Sequence, residues 1–224
     1  MRLPSLALVT LLALSGCALN PAAINALATA AAGTPNAGPS AAPSPAPRPE
    51  ATEAPASPAT PASSKAVEAF RAKVEAANGD ARAIAKLFIA GLVAYEQDAT
   101  LGRALMTLTV IEGDLVPSAD SPSGFAFFNA REIYFRTLDR NPKLGRAYLD
   151  QPASGDAADV EAHVMIDDDY AAVEKGVNEA AGTAKFYMKL NEELGAGKRP
   201  RPLSLKRVNG AWRVSEYSSV MVQI

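Results

Sequence analysis

Three observations predict an α+β fold, with antiparallel helices packed on a mainly antiparallel, C-terminal sheet. Apolar residues recur at helical spacing from Val67 to Tyr148, they switch to alternation after Val160, and Asn209-Gly210 separates two strand-like runs. Ser64 opens the first helix, which carries Val67, Phe70, Val74 and Ala77 on one stripe and stops at Asn78-Gly79. Asp80 caps a second helix at once, and Ile84, Leu87, Phe88, Gly91, Leu92 and Tyr95 form a stripe wide enough for the main core helix. Asp98 or Thr100 begins a third, with Leu101, Leu105 and Leu108 inward. The short loops between these three make them antiparallel neighbours.

Pro117 and Pro122 mark a loop. A fourth helix is expected to take in Phe125, Phe127, Phe128, Ile133, Tyr134 and Leu138, and Asn141-Pro142 opens a short fifth through Tyr148. From there the period changes. Val160, Ala162, Val164 and Ile166 alternate with Glu161, His163 and Met165, as Ala184, Phe186, Met188 and Leu190 alternate with Lys185, Tyr187 and Lys189, so both read as half-buried strands. A two-residue turn at Asn209-Gly210 sets Val208 opposite Ala211, Arg207 opposite Trp212, Lys206 opposite Arg213 and Leu205 opposite Val214. Leu203, Leu205, Trp212 and Val214 then share one face, with Lys206 and Arg213 on the other. Val220, Val222 and Ile224 add a last strand or dock as a tail.

Upstream of this domain, at 64–224, the composition is of two other kinds. Residues 1–16 carry Arg2, a mostly apolar run from Leu6 to Leu14, then Ser15 and Gly16 before Cys17. The run is well short of the roughly 20 residues a spanning helix needs, so it reads as a secretion leader. Residues 17–63 hold ten of the chain's 17 prolines among Ala, Ser and Thr. Such a stretch buries too little to offset its ordering entropy and reads as a disordered tether, with Ala22 to Ala32 as a short helix inside it. Extended as polyproline II at about 3.1 Å per residue, it spans on the order of 100 Å.

The tetrapeptide Leu14-Ser15-Gly16-Cys17 resembles the lipobox of bacterial lipoproteins. The resemblance implies cleavage before Cys17, diacylglycerol on its sulfur and an acyl chain such as palmitate on the new N-terminus. Several acyl chains give the stable anchoring that one chain does not. Ala18 lacks the aspartate that retains such proteins at the inner membrane, which implies the outer membrane of the cell envelope. Further on, the segment from Thr183 to Ser219 resembles the end of a bacterial domain family of unknown function often found behind lipoprotein leaders. Lys185-Phe186, Arg201-Pro202 and Trp212 carry that likeness. It brings no activity and no site residues. The hairpin ending is also similar to those of cone-shaped NTF2-like domains.

Composition narrows the chemistry. There are 22 Lys and Arg against 24 Asp and Glu, for a formal charge of -2, which argues against nucleic acid as a partner. A single Cys excludes an internal disulfide, and with His163 as the chain's one histidine there is no constellation for a zinc hydrolase or thiol protease. No cofactor and no metal are expected. His163 should sit exposed beside Glu161. Asp167-Asp168-Asp169 reads as a solvated turn, since consecutive side chains diverge where calcium loops need spaced ligands. Gly195 and Gly197 before Lys198, Arg199 and Arg201 lack the strand and helix that flank a phosphate loop.

The position of charge is more informative. Residues 150–179 hold nine carboxylates against Lys175, whereas 198–216 hold six cations against Glu216. Either the two segments neutralise each other as neighbours, or a basic face built on Arg199, Arg201, Lys206 and Arg213 meets an anionic envelope polymer or an acidic protein. Tyr187 and Tyr217 would add flat, exposed contacts. The reading that follows is a non-enzymatic, lipid-anchored binding module. Its rivals are an enzyme or small-ligand carrier with a pocket between helices and sheet, lined by residues such as Phe128, Tyr134 and Tyr187, and an assembly unit marked by an exposed apolar patch.

Overall fold

The computed structural model describes residues 61–222, apart from 155, 174, 175, 196 and 197. The expected leader, Cys17, the helix at 22–32 and nearly all of the tether lie outside the described residues. Helix α1 (Pro61–Ala76) takes in the last three residues assigned to the tether, with proline in the first turn, where its missing N–H costs nothing. Asp80 caps α2 (Ala81–Gln97) by accepting from the Arg82 and Ala83 amides. Asp98 does the same for α3 (Ala99–Thr107) through the Leu101 amide. Helix α2 is the centre of the domain, with Ile84, Leu87, Phe88, Ile89 and Leu92 all fully buried. Two glycines admit its neighbours: a Cβ on Gly102 would lie 2.4 Å from the Tyr95 backbone, and one on Gly145 would lie 2.7 Å from Leu92.

After α3 the chain departs from expectation. Phe125 and Phe127 are not helical. They belong to β2 (Phe125–Phe127), which pairs antiparallel with β1 (Leu115–Pro117) in a two-stranded ribbon, and helix α4 (Glu132–Arg140) begins only after a 3-10 turn. Gly124, at φ 83, makes the turn that a helix reading overlooked. A seven-residue 3-10 helix then runs from Pro142 to Tyr148, as the Asn-Pro signal predicts.

The expected strand at 160–166 is instead helix α5 (Ala157–His163) followed by two isolated bridges, Val164 with Leu149 and Ile166 with Met188. The reason is an ambiguity of period. Val160 and Val164 are four apart, a spacing that fits a helix face and a strand face equally, and Asp156 decides it by capping the Ala158 amide. Helix α6 (Asp168–Val173) follows.

The main sheet has four antiparallel strands in the order β3 (Val177–Asn178), β4 (Thr183–Met188), β5 (Arg201–Val208), β6 (Ala211–Glu216), with α7 (Glu192–Gly195) between β4 and β5. The hairpin register is the predicted one: Lys206 faces Arg213 and Leu205 faces Val214. Asn209 and Gly210 both have positive φ, 52 and 82, as a two-residue primed turn requires. A bulge follows, because Ser204 then faces Glu216. Ala184, Phe186, Leu203, Leu205, Trp212 and Val214 point at the helices and are buried. The free edge of β6 is covered by loops: the Trp212 amide donates to Asn78, the Val214 amide to Thr109, and the Ile111 amide to the Val214 carbonyl. Of the C-terminal apolar residues, Val220 falls in α8 (Ser218–Met221) rather than a strand, with Val220 and Met221 buried and the Tyr148 hydroxyl donating to the Val220 carbonyl; Val222 follows the helix and Ile224 lies outside the described residues.

Candidate binding face

Strand register places the outward side chains in rows. Thr183, Lys206 and Arg213 lie across β4, β5 and β6, and Lys185 and Ser204 form the next row, with Ser215 of the bulge nearby. Lys185, Ser204, Lys206 and Ser215 border an open cleft of about 410 Å³. The result is a shallow surface of ammonium groups and hydroxyls, opposite the face that α2 covers.

The four cations singled out from the sequence do not share this face. Lys206 is exposed at its centre. Arg213 adjoins it but is half-buried, donating from Nη1 to Asn78 Oδ1 at 2.6 Å and to the Trp212 carbonyl at 2.7 Å, and burial pushes its pKa below the usual guanidinium range. Arg201 has the parity of Leu203 and Leu205, so it lies on the helix side, where its charge acts on Tyr148. Arg199 is exposed in the loop before β5. Lys185, Ser204 and Ser215 were missed because nothing in the sequence fixes how β4 pairs with β5.

The expected aromatic contacts are corrected as well. Tyr187 faces outward but is buried beneath Tyr170, at 4.8 Å between ring centroids, with the Lys185 ammonium 5.1 Å from its ring. Tyr217 is a core residue packed on Phe88, Phe127 and Tyr134. Burial, then the neighbouring Asp114 carboxylate, raise its pKa. Tyr187 thus belongs to the outer side of the sheet, whereas Tyr134 packs on Tyr217 in the core.

The charge split resolves unevenly. Among the described residues, the acidic segment is answered mostly by the helices: Lys73 reaches Asp156 and Glu161, and Arg82 pairs with Asp168. From the basic segment Arg207 reaches across, to Glu179 at 2.8 Å, while its guanidinium also caps the Trp212 ring. Lys206 has no such partner among the described residues.

The remaining candidates fall into place as local structure. His163 ends α5 rather than standing on a strand, and its ring is mostly covered, 3.0 Å from Asp150 Oδ1 and 3.6 Å from Asp159 Oδ1. The Ser154 amide, donating to Asp159, lowers that carboxyl's pKa. Asp167 accepts from the Tyr170 amide and Asp168 opens α6, so the acidic run starts a helix and pairs with Arg82 instead of forming a solvated turn. Among the described residues no group of three His, Cys, Asp or Glu could hold a metal ion, and no helix is long and apolar enough to cross a membrane.

A second concavity, a groove of about 670 Å³, lies beside the 3-10 helix and α7. Lys143, Arg146 and Lys189 border it, as do Asp150, Glu192 and Glu193. Asn191 holds its wall, donating from its side chain to the Arg146 and Leu149 carbonyls. Arg146 is engaged by Glu96 at 2.5 Å.

No curated protein and no solved structure matches the chain. Residues 59–224 do match a family described as a domain of unknown function, DUF6935, and the chain belongs to that family.

Proposed function

We propose that this chain is a lipid-anchored protein of the cell envelope, held at the outer membrane through acylated Cys17 and a Pro/Ala-rich tether, and that its domain is a non-enzymatic binding module for an anionic envelope polymer. The observation that carries the binding reading is the outer sheet face, where Lys206 stands exposed beside Arg213 and among Ser204, Ser215 and Lys185. A flat row of cations and hydroxyls suits a repeating anionic chain better than a compact ligand, because each repeat meets the same weak, additive electrostatics. The lipobox residues support the anchor.

Affinity capture from intact envelope tests the reading. Lys206→Glu reverses a charge on an exposed side chain, so the fold is retained and the captured polymer falls severalfold; Arg199→Glu, off that face, changes little. Equal capture by Lys206→Glu removes the proposal, and capture of an acidic protein in place of polymer replaces the partner. In the same cells Cys17→Ser leaves precursor with no lipid label.

The groove of about 670 Å³ favours a second reading, a carrier of a small ligand, since that volume lies in the range of ligand sites. Saturable binding of a small molecule that Lys189→Glu abolishes would support it.

A further inference from the structure

The outer face of the sheet carries aromatic as well as cationic side chains, and the strand register fixes their order. Tyr187 and Pro202 are cross-strand partners on β4 and β5, Lys185 and Ser204 are the next outward pair, and Thr183 and Lys206 the one after. Helix α6 packs on β4 at the Tyr187 end, where the Asp167 amide donates to the Tyr187 carbonyl at 2.8 Å. The Tyr170 ring thereby lies on the Tyr187 ring, 4.8 Å between centroids, and Tyr170 itself stays 44% exposed. The Lys185 ammonium is 5.1 Å from the same Tyr187 ring, and Lys185 borders the cleft of about 410 Å³, so one side chain joins the aromatic pair to the cleft.

The chemistry changes along this face. Its Tyr187 end is apolar, with Tyr170 presenting a ring to solvent and Pro202 beside its support. Its other end is polar: the cleft is bordered by Thr183, Ser204 and Ser215, by Asn178, and by exposed Lys206. Pro202 and Lys206 are four residues apart on β5, about 13 Å, which is the span of an oligomer rather than of one small molecule. Most acids around the face are engaged. Glu216 accepts from the Ser218 amide and hydroxyl, Glu179 pairs with Arg207, and Asp168 pairs with Arg82. Asp169, next to Tyr170 in the chain, is exposed.

We propose that the anionic polymer of this face is an acidic polysaccharide, with one sugar ring stacked on Tyr170 and the carboxylate of a following unit drawn to Lys206. The inference rests on the binding reading proposed for this face and names the polymer's chemistry. A pyranose has an apolar C–H face and a hydroxylated edge, so it lies on an aromatic ring while its edge reaches the polar groups beside it. Polyphosphate carries charge but no such face. It gains nothing from Tyr170 and is repelled by Asp169, whereas a carboxylate accepts a hydrogen bond from a sugar hydroxyl.

Calorimetric titration of the full chain with polygalacturonate and with polyphosphate tests it. Polygalacturonate binds the more tightly, and Tyr170→Ala weakens it about threefold to tenfold, the loss of one aromatic stacking contact. Tyr170→Leu, which still covers Tyr187 but offers no flat ring, weakens it as much, and Tyr170→Phe keeps it. Polyphosphate binding is the same in all four proteins. Polygalacturonate binding that Tyr170→Ala and Tyr170→Leu leave unchanged overturns the proposal, as does an equal loss of polyphosphate binding, or polyphosphate bound the more tightly. Lys206→Glu separates the two claims. If it weakens both polymers while the Tyr170 variants do nothing, the basic face stands and the saccharide assignment falls. If it weakens neither, the binding reading falls and this inference with it.

Discussion

Asp114 shows how one residue's chemistry is set by its neighbours. Its side chain is 8% exposed, and Arg131 places two donors on Oδ1, at 3.1 and 2.8 Å. The Tyr217 hydroxyl lies beside it without a regular hydrogen bond, and among the described residues neither that hydroxyl nor Asp114 Oδ2 has a hydrogen-bond partner. The pairing to Asp114 raises the Arg131 pKa. Removing one member of a buried pair costs about 3–5 kcal/mol, and Arg131 keeps some solvent, so Asp114→Ala should cost about 2–3 kcal/mol in urea unfolding. Asp114→Leu with Arg131→Met should recover most of that loss. A double variant as unstable as the single one would show that the pair does more than satisfy its own charges. None of this was legible beforehand: Asp114 sits between a predicted helix and a predicted loop, and nothing in the sequence joins it to Arg131 or Tyr217.

Among the elements, legibility followed the strength of local signals. The hairpin was readable to the residue, because Asn209-Gly210 admits a two-residue turn and the turn fixes every cross-strand pair. Helix α2 was equally plain, with Asp80 before it and apolar residues over most of its surface. Where a pattern satisfied two periods, as at Val160 and Val164, or where strands were three residues long, as at Phe125–Phe127, the reading went to the wrong element. The approach of α2 and α3 rests on Gly102, where any Cβ would sit 2.4 Å from the Tyr95 backbone. Gly102→Ala should therefore destabilise by about 1–3 kcal/mol through forced separation of the helices. Gly79→Ala, with nothing within 4 Å, should stay within about 0.5 kcal/mol. Equal effects in thermal unfolding would contradict the close-packing account.

Across the whole molecule, three tyrosines report the integrity of the core. Burial raises the pKa of Tyr95, Tyr148 and Tyr217 above the ordinary 10.0, with the Asp139 hydrogen bond adding to it at Tyr95 and Asp114 adding to it at Tyr217. The folded chain thus holds these protons to higher pH than the unfolded chain does. Their contribution is complete below about pH 10 and is lost as pH rises above it, because unfolding then releases protons. An alkaline titration followed at the phenolate absorbance should show Tyr95, Tyr148 and Tyr217 ionising together with loss of circular dichroism. Smooth ionisation of these three tyrosines before unfolding would refute it. The sequence by itself determined the order of helices before sheet, the cap at Asp80, and the hairpin register, since each depends on residues a few positions apart. Tertiary structure alone decided that Arg201 leaves the outer face, that Lys185 joins it, and that Tyr217 enters the core. Those outcomes depend on which strand lies beside which and which helix packs on which, contacts made by residues far apart in the chain, where no local period reaches.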